Sequence, residues 1–109
     1  MLLIQRRLLI HNVEYKEYIP KSAYGEEWEE PVPVNRVRVQ PVNRVVKTSN
    51  GDDIQSSTLI FIDRINSSPA FRPSEKSIFI FDNREYNVVS VDEVYARGSN
   101  VHHWEVYCN

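Results

Sequence analysis

Cysteine is almost missing from this chain. A lone Cys108 excludes an intrachain disulfide framework and makes a reducing compartment the default. Its expected role is that of a small apolar strand residue. Long apolar runs are missing too. The first, at Met1 to Ile4, is followed rather than preceded by Arg6 and Arg7. That order does not suit a secretory signal, and no run is long enough to span a bilayer. The expectation is a mature N-terminus leading into a first strand. Net positive charge is lacking: 13 Lys and Arg against 15 Asp and Glu leave −2, with no basic footprint for nucleic acid. No stretch shows a helical period, and no internal repeat, phosphate loop, cysteine pair or Ser-His-Asp arrangement is present. Candidate catalytic groups (His102, His103, Asp63 and Cys108) are scattered, so no enzyme, no cofactor and no metal is expected.

What is present is β-forming sequence. At 109 residues, with 41% hydrophobic and 26% charged residues, the chain suits one soluble domain over 1–109. Leu59 to Ile62 is a run of bulky β-formers without a polar break, expected to be buried on both faces. It stops at Asp63-Arg64, and Ser67-Ser68-Pro69 discourages further pairing because proline has no N–H for the ladder. Phe71 is then a single aromatic on a polar loop, and is expected to fold back as an anchor.

Five further strands read clearly. Leu8–Tyr15 alternates Leu9, Val13 and Tyr15 toward one face, with His11 in phase as a hydrogen-bonded or edge residue. In Val32–Val39 the phase slips between Val34 and Val37, which predicts a bulge near Asn35 or Arg36. Ser77–Val91 reads as a hairpin, with strand Ile78–Phe81, a tight turn over Asp82 to Glu85 and a partner from Tyr86; Phe81 is its expected core residue. Val101–Cys108 closes the set, with His102, Trp104, Val106 and Cys108 on one face and His103, Glu105 and Tyr107 on the other. Adjacent strand residues point to opposite faces, so His102 and His103 are not expected to share an ion.

Two stretches read as long connections, 16–31 and 40–57. The first holds Tyr18, Tyr24 and Trp28, which suggests that it packs on its own barrel or on a neighbour. Its acidic cluster of Glu26, Glu27, Glu29 and Glu30 reads as a solvated face. The second begins at Pro41, carries Asn50-Gly51 and ends in serines. Val45, Val46 and Ile54 allow transient pairing across that turn, and the segment is expected to be mobile. The fold class that follows is all-β: a small antiparallel β-barrel or tight sandwich of about six strands with long loops.

An ordered set of segments carries a family resemblance: Tyr24-Gly25, VRVQP at Val37 to Pro41, LIFIDRINSSPAF at Leu59 to Phe71, FDNREYNVVSV at Phe81 to Val91, and HHWEV at His102 to Val106. Over nearly its whole length the chain resembles the tailed-phage and prophage minor capsid family. It departs from that pattern at the tight turn, where Asn83 stands in place of the usual glycine. In size and in the long segment after VQP it is also similar to the head-completion or stopper proteins, small β-barrels that form a ring below the portal. The resemblance implies a virion protein of the head–tail joint, free in the host cytoplasm before assembly. Its implied partners are copies of itself, the portal or adaptor protein of the head, tail-terminator or tail proteins, and packaged DNA in the channel, with no membrane. It further implies a channel-facing gating loop with Asn43, Arg44, Lys47, Asn50, Gly51, Asp52 and Asp53, while Tyr24, Trp28 and Phe71 are candidates for a subunit or partner interface. The alternative is a nucleic-acid-binding barrel of the oligonucleotide-binding type, with Arg36, Arg38, Arg44 and Lys47 as a basic strip.

Overall fold

A computed structural model describes residues 6–20, 25–96 and 98–109. After a short 3-10 turn at Arg6–Leu8 the elements are β1 (His11–Lys16), β2 (Tyr18–Ile19), β3 (Glu27–Trp28), β4 (Val32–Lys47), β5 (Asp53–Asp63), β6 (Ile78–Phe81), β7 (Arg84–Val94) and β8 (His103–Cys108). Six of them form a closed antiparallel barrel in the order β1-β4-β5-β8-β7-β6, with β6 pairing back onto β1. Closure leaves the sheet without a free edge. β2 and β3 make a separate two-stranded sheet.

The unbroken run in β5 sits where its composition demands. Ile60 and Ile62 enter the main core with Val34, Val37, Phe79, Trp104 and Val106. Leu59 and Phe61, in the alternate phase, join a second cluster with Val46, Val89 and Tyr107. Burial on both faces is therefore real. The phase slip in β4 is also real: Val34 pairs with Val13 but Val37 with His11, and the register shifts between them. Arg36, in the slip, takes a left-handed φ of 59°, and Val34 and Val37 are both fully buried. An extra residue is what lets two apolar residues three apart face one core.

The β6–β7 turn is tighter than the sequence suggests. Phe81 pairs with Arg84, so only Asp82 and Asn83 lie in the loop, with φ of 54° and 62°. Two positive φ values define the turn whose twist matches the flanking strands, and Asp and Asn tolerate that conformation. β7 accordingly begins at Arg84 rather than Tyr86 and runs on to Val94. Phe79, not Phe81, is the fully buried aromatic of this hairpin. Phe81 shares its phase but stands beside the turn, half-buried against His11 with ring centroids 4.9 Å apart.

Both long connections need correction. Within 16–31, β2 and β3 pair through Tyr18–Trp28 and Ile19–Glu27. Within 40–57 only Thr48–Asp52 is a turn, because β4 continues to Lys47 and β5 starts at Asp53. Pro41 does not end β4 because it stands at a second register shift, between Pro41 and Arg44, where a missing N–H is tolerated. The serines are no breakers either. Ser56 is fully buried, and its hydroxyl lies 2.8 Å from the Cys108 carbonyl oxygen.

Candidate functional site

Past Thr58, the last β5 residue that pairs in this direction with β8, β4 and β5 continue together as a two-stranded ribbon. Arg44–Ser56, Val45–Gln55, Val46–Ile54 and Lys47–Asp53 are its rungs. The Thr48 N–H donates to the Asp52 carbonyl (2.9 Å) and the Gly51 N–H to the Thr48 carbonyl (3.0 Å). Gly51, at φ 86°, supplies the left-handed residue of this turn without a Cβ penalty. Asn43, Arg44, Lys47, Asn50, Gly51, Asp52 and Asp53 all lie here and all are exposed.

The ribbon is anchored at its base, underside and tip, unlike the mobile loop expected from its polar composition. At the base, Arg44 Nη1 donates to the Tyr107 hydroxyl over 2.8 Å, and its guanidinium lies 5.2 Å from the ring centre. Below, Val46 and Ile54 pack in the second cluster with Val89. At the tip, the Ser49 N–H and hydroxyl both donate to Glu75, at 3.1 and 2.9 Å. The Lys47–Asp53 pair (2.9 Å) is exposed on both sides and adds little, since solvent screens such pairs.

Arg44 also ends a polar chain along β8. His102 Nδ1 lies 2.8 Å from His103 Nδ1, and His103 Nε2 lies 3.0 Å from Glu105 Oε2. The Tyr107 hydroxyl then contacts Glu105 at 3.4 Å. A consistent arrangement has His103 donating from Nε2 to the carboxylate and accepting at Nδ1 from His102. The two imidazoles thus meet, contrary to the alternation argument. β8 begins at His103, so His102 precedes the strand and is not bound by its alternation. The shared face of His103, Glu105 and Tyr107 was legible from their spacing; that Arg44 reaches it was not, because Arg44 is remote in the chain.

The interface candidates are spread out. Tyr24 lies outside the described residues. Trp28 is half-buried and donates its indole N–H to the Lys76 carbonyl at 2.8 Å, with Tyr18 edge-on at 5.7 Å. Phe71 folds back as an anchor and meets Tyr15 edge-on at 4.8 Å.

The basic residues do not stand as one free strip. Arg38 bonds Gln40 at 3.1 Å, Arg44 bonds Tyr107 and Lys47 pairs with Asp53, whereas Arg36 is exposed and its side chain has no such partner among the described residues. Cys108 is fully buried, and burial pushes its thiol up to about 12, which removes it as a nucleophile.

His11 accepts the Val39 N–H at Nδ1 over 2.9 Å. Burial and then the charge of Arg38 lower its pKa from 6.5. A base with a depressed folded pKa contributes stability that is present above its unfolded pKa and is lost as pH falls below it. An NMR titration should therefore place the His11 midpoint below 6.5, and a midpoint at or above that value would contradict this geometry.

Among the described residues no group of three or more His, Cys, Asp and Glu could hold a metal, and no helix is long and apolar enough to cross a membrane. What the barrel offers is surface: a projecting ribbon, anchored aromatics and an apolar cleft. That suits a subunit of an assembly, and comparison with known families agrees. Residues 5–108 match the family described as minor capsid protein, and the chain belongs to that family. It is a phage structural protein and a component of the virion. No curated protein and no solved structure matches it.

Proposed function

We propose that this minor capsid protein is a head-completion or stopper subunit of the head–tail joint. Copies form a ring under the portal or adaptor, close the channel on packaged DNA and present the docking surface for tail proteins. The observation that carries this reading is the β4–β5 ribbon, which extends past the last residue paired with β8 and holds Asn43, Arg44, Lys47, Asn50, Asp52 and Asp53 exposed. Around a ring axis, such ribbons converge from every copy. Arg44 and Lys47 then stand near phosphates while Asp52 and Asp53 oppose tight binding, so that a plug can reopen. The anchors at Tyr107 and Glu75 make the ribbon a stiff element, which suits a plug under pressure better than a free loop does.

Deletion of the gene should give heads that package DNA and then lose it, or that fail to join tails. Replacing Lys47 to Asp53 by a short Gly-Ser bridge, which spares Val46 and Ile54 in the second cluster, should keep assembly but let DNA leak. Normal infectious particles from the deletion strain would overturn the reading, and full retention by the shortened variant would reduce the ribbon to a spacer.

A further inference from the structure

Two surfaces at opposite ends of β1 differ in shape and charge. At the Lys16 end a cleft of about 490 Å³ is lined by Tyr15, Val32, Pro69 and Phe71 and rimmed by Glu17, Glu29 and Glu30. Its open wall is almost wholly apolar. The rim is held in place: the Glu29 N–H donates to the Glu17 carbonyl (2.8 Å), and the Glu17 carboxylate accepts from the Ser74 hydroxyl (2.9 Å). Glu29 and Glu30 are exposed and make no ion pair among the described residues.

At the His11 end the surface is the reverse. Ile10 is 65% exposed, a large apolar side chain standing in water. Arg7 and Arg36 border the same hollow, and among the described residues no acidic one lines it. Arg36 is set there by its backbone, whose N–H donates to Asn12 Oδ1 (3.2 Å) and whose carbonyl accepts from the Ser67 hydroxyl (2.6 Å). Strand rise puts Ile10 and Glu17 roughly 20 Å apart along the chain, so the two surfaces do not meet within one molecule.

We propose that they meet between molecules: the acid-rimmed cleft of one copy takes Ile10 of a second copy, with Arg7 and Arg36 set against Glu29 and Glu30. Burying Ile10 in an apolar cleft supplies the non-directional attraction, and the charges set orientation and association rate. The two patches differ, so the contact is head-to-tail and each copy keeps one donor and one acceptor surface. A cleft of this size is small beside stable interfaces, which makes the contact transient in solution and dependent on repetition. It gives the ring reading its two surfaces, but rests only on copies touching. It is tested on the purified chain, so it stands or falls apart from any particle phenotype.

The test is mixed disulfide formation between two exposed single variants, Asn35→Cys, which lines the same hollow and leaves Ile10 in place, and Val32→Cys, prepared with different isotopic mass. The native thiol is buried and does not compete. Mild oxidation of the mixture should give the Asn35–Val32 heterodimer about tenfold faster than a mixture of Ile65→Cys and Val32→Cys, although Ile65 is 76% exposed. Adding Glu29→Lys and Glu30→Lys to the Val32 partner should remove that advantage. Pairing this partner with an Asn35 chain that carries Arg7→Glu and Arg36→Glu should restore it. Equal rates with the Ile65 control would overturn the proposal. Faster Asn35–Asn35 than Asn35–Val32 dimers would replace it with a two-fold contact, and an advantage insensitive to charge reversal would refute the charge pairing.

Discussion

A Phe79→Ala variant should unfold at markedly lower denaturant, with a loss of about 3–5 kcal/mol. Phe79 is the largest of the fully buried side chains among the described residues. It lies in the main core and packs on Tyr15 with ring centroids 4.9 Å apart. Removing a ring from a closed barrel costs both its transfer free energy and the cavity that remains, and a barrel wall joined on all sides relaxes poorly into the gap. Phe81→Ala, at the half-buried end of the same strand, should cost clearly less. Urea unfolding of both variants checks this. A loss at Phe79 no greater than at Phe81 would show that the barrel interior is filled differently.

Asp63→Ala should also destabilise strongly, by about 1–3 kcal/mol. The carboxylate is buried and accepts the N–H groups of Ile65 (3.1 Å) and Asn66 (2.8 Å) through one oxygen. It closes the turn that carries the chain out of β5. Ser67 completes the knot: its hydroxyl accepts the Asp63 N–H (2.8 Å) and donates to the Arg36 carbonyl (2.6 Å), which ties this turn to the bulge in β4. Ala at 63 leaves two backbone donors without their acceptor, whereas Asn retains one carbonyl oxygen there. The same unfolding assay should rank Asp63→Asn between wild type and Asp63→Ala. A neutral Asp63→Ala would show that water replaces the carboxylate at no cost.

Much of the barrel was legible because its signals are local. The polar-free run at Leu59–Ile62 carries double-sided burial on its face, and the slip between Val34 and Val37 marks a bulge without reference to any partner strand. Asp82-Asn83 between two apolar runs marks a turn, although a two-residue loop is recognisable only once Phe81 and Arg84 are known to pair. In the sequence the ribbon reads as a loop because Pro41 and the serines carry the chemistry of turns. Their strand conformation depends on remote partners: the Cys108 carbonyl for Ser56, Tyr107 for Arg44, and Glu75 for the tip. The same limit hid the Ile10 surface and the acid-rimmed cleft, whose walls come from separate parts of the chain.

The central claim, a ring subunit at the head–tail joint, is tested most directly by electron microscopy of assembled particles that carry a label on this protein. The account predicts labelled density confined to the joint, as a ring beneath the portal with a ribbon from each copy directed at the channel axis. Label spread over the capsid shell, or confined to the tail with none at the joint, would contradict it.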